Sequence, residues 1–252
     1  MPIFARGRHR VRLSRDPADV EAAQRLRHRA FIAARPGAAL TGDRLLGLDR
    51  DAFDDLCVHA LIEETRTGRL VCCFRMMHLQ SGAEIDRSYS AQYYELGALH
   101  DFAAPMVEMG RFCIDPDSHD PDVIRVAWGA MTAYVERHGV QLLFGCSSFQ
   151  GVDAEAYKDA FALLSERHLA PRRWLPRVKA PKVFRFAKLL RVRRPDMKLA
   201  MRRMPPLLRS YLMLGGWVSD HAVVDEDLNT LHVFTGVEIA RVPPKRRALL
   251  AG

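Results

Sequence analysis

The chain of 252 residues contains no apolar run approaching the ~18 to 20 residues that cross a bilayer as a helix. Its first residues, Met1-Pro2-Ile3-Phe4-Ala5-Arg6-Gly7-Arg8, carry no apolar core of a secretory leader, so the expected location is the cytoplasm. The five cysteines, at 57, 72, 73, 113 and 146, form no CxxC pair. That spacing argues against a disulfide framework and a structural zinc site, and reduced core thiols are expected. The ten histidines show neither HExxH nor HxH spacing, so no metal is expected. Internal repeats and low-complexity tracts are absent. Acids are almost absent from one long segment: Arg167 to Arg209 holds 15 Lys or Arg against the single acid Asp196. Aromatics are scarce there as well (Trp174, Phe184, Phe186), and no nucleic-acid motif surrounds them, so nucleic acid is not an expected partner. A basic segment of this kind suits an anionic membrane face or an acidic protein.

What is present is an alternation of short β and α patterns in a chain whose 48% hydrophobic content is ample for a core. His9–Ser14 alternates basic and apolar residues and reads as a strand. Asp16-Pro17 then supplies an N-cap with proline at the first helical position. The helix is expected to reach about Arg35, with Val20, Ala23, Leu26, Ala30 and Phe31 near helical spacing and Pro36-Gly37 stopping it. Cys57–Glu63 and Leu70–Leu79 read as an antiparallel pair, and helical residues resume near Tyr89. Met106–Asp115 reads as a strand, Pro121–His138 as a helix, Val140–Cys146 as a strand and Asp153–His168 as a helix. Beyond Pro171 a strand is expected at Lys182–Leu189, a helix at Pro206–Leu214 and a strand at Leu231–Ile239. This order implies an α/β fold on a mixed sheet. With no linker in sight, 1–252 is expected to be a single domain, with 1–170 as core and 171–252 as a basic C-terminal extension packed on it.

One strand stands out. Val107-Glu108-Met109-Gly110-Arg111-Phe112-Cys113-Ile114 places a carboxylate and a guanidinium inside an apolar run. Successive strand side chains alternate between faces, so Glu108 and Arg111, three apart, would point away from each other. Glycine within a strand often marks a bulge, and one extra residue at Gly110 would turn both charges toward one cleft. The plain alternative is a sheet-edge ion pair without chemistry.

The order of elements resembles the GNAT N-acyltransferase fold: a mixed, largely antiparallel central sheet flanked by helices. Arg25-Leu26-Arg27-His28-Arg29-Ala30-Phe31, Asp49-Arg50-Asp51-Ala52-Phe53-Asp54, Arg75 and Glu108-Met109-Gly110-Arg111-Phe112 resemble, in that order, the signature of the acyl-homoserine-lactone synthases and their relatives. Cys146-Ser147-Ser148-Phe149-Gln150-Gly151, the run from Pro205 to Gly215, and Asp225 to Leu228 are similar to one branch, the L-ornithine N-α-acyltransferases of ornithine-lipid synthesis, also called haemolysin-like. The resemblance implies transfer of a 3-hydroxyacyl chain from acyl carrier protein to the α-amine of L-ornithine, forming lyso-ornithine lipid.

Such a transfer needs an unprotonated amine, a polarised thioester carbonyl and alignment of the two. Glu108 is the candidate to take the ammonium proton, and backbone N–H groups freed at Gly110 are candidates for the oxyanion. Arg75 or Arg111 would hold the amino acid's carboxylate, and Asp51 and Asp54 its second ammonium. Arg29, Phe31 and Ser147 would line the substrate site. His221 and Asp225 stand one residue short of the HxxxxD spacing of glycerolipid acyltransferases and are given no catalytic role. Cys72, Cys73 and Cys113 lack an activating His–Asp arrangement and are expected to pack the core.

The segment after the charged strand, Asp115-Pro116-Asp117-Ser118-His119-Asp120-Pro121-Asp122, is acidic and has no glycine. The pyrophosphate of coenzyme A needs a glycine-rich loop of backbone donors at this point in most GNAT enzymes, and this loop would repel it. No bound cofactor is therefore expected; the acyl chain would arrive as a phosphopantetheine thioester on acyl carrier protein, an acidic partner for the basic segment. That segment equally suits anionic lipid, so the expected location is peripheral, on the inner face of the cytoplasmic membrane. Two other functions are compatible with these residues: an acyl-homoserine-lactone-type synthase using S-adenosylmethionine, and a non-catalytic lipid- or carrier-protein-binding module.

Overall fold

The computed structural model describes residues 4–33 and 42–243. In chain order its strands are β1 (Phe4–Arg6), β2 (His9–Ser14), β3 (Val58–Glu64), β4 (Leu70–Leu79), β5 (Tyr94–Glu95), β6 (Met106–Ile114), β7 (Leu142–Gln150), β8 (Arg177–Val178), β9 (Val183–Phe184), β10 (Trp217–Val218), β11 (Ala222–Asp225) and β12 (Thr230–Glu238). The α-helices are α1 (Pro17–His28), α2 (Asp122–Arg137), α3 (Lys158–Arg167), α4 (Phe186–Leu189), α5 (Met197–Arg203) and α6 (Pro206–Met213). The described residues form two compact units, and β6 contributes to both: those up to His78 with Met109–Gly139 make the first, Leu79–Glu108 with those from Val140 to 243 the second.

In the first unit β1, β2, β3 and β4 follow one another antiparallel, with Val11 opposite Ile62 and Ala60 opposite Phe74. A register shift between Ile62 and Glu63 bends β3 near its end. The later part of β6 lies along β4: Phe112 stacks on Phe74 at 5.8 Å, the sulfurs of Cys113 and Cys73 are 3.5 Å apart, and the Asp115 N–H donates to the Val71 carbonyl. Five successive residues of β3 are buried, as in a strand covered on both faces. Helix α1 covers one with Ala23 and Leu26 against Leu61, Cys73 and Cys113. The Asp16 side chain caps α1 by accepting from the Ala18 N–H at 2.9 Å, ahead of Pro17. After His28 the chain continues as a π-helical turn, Arg29–Ala33; the expected stop at Pro36-Gly37 lies outside the described residues. All five cysteines are free thiols, and Cys146 is the one that is not fully buried.

In the second unit the first residues of β6 run parallel to β7, Met106 to Glu108 opposite Leu142 to Phe144. Strand β12 then pairs antiparallel with β7 along its whole length, Thr230 with Gln150 through Glu238 with Leu142, and on its other side with β11. Residues beyond 170 thus supply an interior strand. The core collects Phe149, Phe161, Phe186, Leu190, Ala200 and Leu208 between this sheet and α3 to α6.

Two expected elements change character. Lys182–Leu189 is a strand only at Val183–Phe184; Phe186 and Leu190, four apart, both enter the core, a spacing that a helical turn satisfies and a strand does not. The helix expected from Asp153 opens as a 3-10 turn, Ala154–Tyr157, capped by Asp153, before α3 begins. Among the described residues no helix is long and apolar enough to cross a membrane.

Candidate active site

Glu108 ends the three-residue parallel ladder with β7 and is 5% exposed. Its Oε1 accepts from the backbone N–H of Ser90 at 2.7 Å and the Ser90 hydroxyl at 2.6 Å, and its Oε2 accepts from the Tyr89 N–H at 2.8 Å. The short turn Ser90–Gln92 begins there, so this carboxylate also caps it. The Ser90 oxygen lies 3.5 Å from the Cys146 sulfur on β7. Nothing in the sequence marked Tyr89 or Ser90, because they meet Glu108 only through the fold.

The other predicted charges lie in the first unit as an ion lattice with three guanidiniums and three carboxylates. Arg27, on the buried face of α1 and 1% exposed, binds Asp49 at 3.0 Å and Asp54 at 2.7 and 2.8 Å, and also donates to the Asp49 carbonyl. Arg75, on β4, grips Asp51 with both Nη atoms at 2.5 and 2.8 Å and reaches Asp54 at 2.7 Å. Arg111 donates to Asp49 at 3.1 Å and to Asp51 at 3.0 Å. Gln24 adds a bond to Asp54 at 2.9 Å, and His59 Nε2 lies 3.0 Å from the Asp54 carbonyl. Burial alone would raise the Asp51 and Asp54 carboxyls, but the hydrogen bonds and charges of Arg75, with Arg27 on Asp54 and Arg111 on Asp51, hold both below the ordinary value of 3.8. Burial likewise works against the Arg27 charge, and Asp54 and Asp49 overcome it, so its guanidinium stays ionised. Asp51 and Asp54 therefore already face guanidiniums.

Arg27 and Asp49 were not singled out in the sequence. The available signal was an arginine four residues after Ala23, on the apolar side of the helix, since a buried guanidinium requires carboxylates elsewhere.

Beside Gly110 the backbone departs from the strand conformation at Arg111. Arg111 has φ +54, in the left-handed region, where a side chain costs roughly 1–2 kcal/mol. Its two carboxylate partners offset that cost. A Cβ on Gly110 would sit 3.6 Å from Arg75 Nε, an ordinary contact, so the glycine is not there to avoid a clash.

Arg29, on the π-helical turn, pairs with the buried carboxylate of Asp115 at 3.0 Å, and Phe31 packs against the Ala23–Leu61–Cys113 cluster. In the acidic segment after β6, Asp115 also accepts from the Asp117 N–H at 3.1 Å, and Asp120 accepts from the Asp122 N–H at 3.0 Å, at the start of α2, and from Arg8 at 2.8 Å. The Asp120 carboxylate thus takes one donor that a phosphate would use at this helix terminus. Ser147, on β7, is 7% exposed and its oxygen accepts from the Thr235 hydroxyl at 2.9 Å.

A model of the acetyltransferase (GNAT) domain matches residues 26–129. FeeM, an N-acyl amino acid synthase from uncultured soil microbes, has a similar fold at 12% identity, with a TM-score of 0.51 over 97% of each chain. The mixed, largely antiparallel sheet with flanking helices is therefore that of a GNAT acyltransferase. The L-ornithine N(alpha)-acyltransferase of Rhodobacter capsulatus is 33% identical over 244 residues, 95% of this chain and 93% of that protein. That of Brucella abortus is 30% identical over 240 residues, covering 92% and 85%. The chain belongs to the L-ornithine N(alpha)-acyltransferase family.

Proposed function

We propose that this protein transfers a 3-hydroxyacyl chain from the phosphopantetheine thioester of acyl carrier protein to the α-amine of L-ornithine, giving lyso-ornithine lipid. The observation that carries this reading is similarity to L-ornithine N(alpha)-acyltransferases along nearly the whole chain. Glu108, fixed by three donors, takes the proton of the α-ammonium directly or through a water, and backbone N–H groups at Gly110 bind the developing thioester oxyanion. Arg75 or Arg111 supplies the fork for the carboxylate of ornithine. Asp54 orients Arg75, and Asp51, the most exposed of the three lattice acids, takes the second ammonium while steadying both arginines. Arg29, Phe31 and Ser147 shape the substrate region.

The acidic segment supports this donor. Asp120 occupies the Asp122 N–H at the start of α2, and the acidic side chains around it disfavour a coenzyme A pyrophosphate and favour a donor held by protein contacts. An amphiphilic product suits work at the inner face of the cytoplasmic membrane.

Purified protein incubated with 3-hydroxyacyl carrier protein or the matching coenzyme A thioester, and separately with ornithine, lysine or S-adenosylmethionine, tests this by product mass. Acyl-ornithine from the carrier-protein donor is expected, and Glu108→Gln should reduce it at least ~100-fold. An acyl-homoserine lactone, or no acyl-amine from any pair, would refute the assignment.

A further inference from the structure

The α4 to α5 segment turns one side inward and leaves an unusual one outside. Phe186, Leu190, Ala200 and Met204 enter the core of the second unit. Between and beside them Leu189 is 62% exposed, Val192 87%, Met197 41% and Met201 42%. Met197 and Met201 lie one turn apart on α5, on the same side of that helix. Arg191, Arg194, Lys198 and Arg202 are interleaved with these four and exposed. Of the basic residues between 185 and 203, Arg193 alone has an ion-pair partner among the described residues, Asp159 at 3.0 Å. The one acid here, Asp196, is engaged in capping α5 through the Leu199 N–H.

Exposed aliphatic side chains carry a hydration cost that a lone protein surface does not recover, and unpaired cations alone would satisfy a polyanion. The combination fits a boundary where hydrocarbon begins just beneath anionic headgroups: long basic side chains reach the phosphates while short apolar ones enter the acyl layer. We propose that residues 185–203 form a membrane-docking face that inserts Leu189, Val192, Met197 and Met201 into an anionic bilayer. The occupant is lipid rather than acyl carrier protein, because an acidic helix would be served by the cations and would leave Val192, the most exposed large apolar residue among the described residues, in water. The face deepens the acyltransferase reading, since an acylated amino acid is itself a lipid and its release into a bilayer needs the enzyme there.

Sedimentation of the full chain with phosphatidylcholine vesicles, with and without phosphatidylglycerol, tests the face. Binding is expected only with phosphatidylglycerol. Leu189→Asp with Val192→Asp should weaken it at least ~10-fold, and Arg191→Gln with Arg194→Gln should weaken it and flatten its salt dependence. All four positions are exposed, and unchanged melting temperatures verify folding. Equal sedimentation of the Asp double variant and the parent overturns the proposal. So does loss of acyl carrier protein binding in that variant with vesicle binding intact. Ornithine acylation measured without vesicles separates the two readings: vesicle binding without turnover removes only the proposed reaction, and turnover without vesicle binding removes only the docking face.

Discussion

Ser90 donates twice to one oxygen of Glu108, through its backbone N–H at 2.7 Å and its hydroxyl at 2.6 Å. The backbone half of this grip survives side-chain replacement and the hydroxyl half does not. Ser90→Ala should lower kcat about 10-fold with little change in KM, because Glu108 stays in place but with one donor fewer. The stability loss should be about 1 kcal/mol, that of a single buried hydrogen bond. Steady-state kinetics with thermal melting reads both, and full activity in the alanine variant would show that the hydroxyl does not tune the carboxylate.

The lattice of Arg27, Arg75 and Arg111 with Asp49, Asp51 and Asp54 is balanced in charge, so removing one member leaves an opposite charge buried without compensation. Arg27→Met should cost about 3–5 kcal/mol. Arg27→Lys should recover only part of that, because an ammonium cannot reproduce the fork that spans Asp49 and Asp54. Chemical denaturation of the two variants measures the difference. A methionine variant as stable as the parent would mean that the lattice contributes nothing net to folding.

Acid should unfold the protein in two stages. Burial, reinforced by His221, lowers the His232 imidazole from 6.5 to about 4. Between those values the unfolded chain binds a proton that the folded one refuses, so stability falls as pH drops from 6.5 to about 4, by on the order of 3 kcal/mol. His59, also lowered by burial, acts in the same direction. Asp51 and Asp54 titrate below 3.8 when folded, so their contribution is complete above that value and is lost only in stronger acid. His232→Phe should flatten the upper stage and leave the lower one, as read from urea midpoints at neutral pH, between the two histidine values, and below 3.8. A parallel shift of both stages would contradict the assignment.

The fold was legible where local pattern decides it. His9–Ser14, the β3–β4 pair, α2 and the last strand lie within a few residues of their expected positions, because strand and helix periodicities are written locally. The strand expected at Lys182–Leu189 was not, since five apolar residues in eight fit either period and only the shared core of Phe186 and Leu190 selects the helix. The same limit applies to the charged residues. Glu108, Arg75, Asp51 and Asp54 could be named from residue type and resemblance, but their partners lie 18 to 60 positions away in the chain, and a sequence holds no record of which cation meets which acid. Tyr89 and Ser90 act mainly through backbone N–H groups, which every residue but proline carries.

The residue pair Gly110 and Arg111 separates backbone shape from side-chain chemistry. Arg111 holds φ +54, a conformation glycine adopts without strain, so Arg111→Gly relieves the backbone while deleting the guanidinium, and Arg111→Ala deletes the guanidinium and keeps the strain. If the side chain acts on substrate, both variants should raise the KM for the amino acid at least ~10-fold, with the glycine variant the more stable by about 1 kcal/mol. Gly110→Ala places its methyl at ordinary contact with Arg75 and should leave the melting temperature nearly unchanged. A large fall in kcat in that stable variant would place the reacting thioester against the Gly110 backbone. Unaltered kinetics would remove Gly110 from the machinery and leave Glu108 and the arginine forks to account for catalysis.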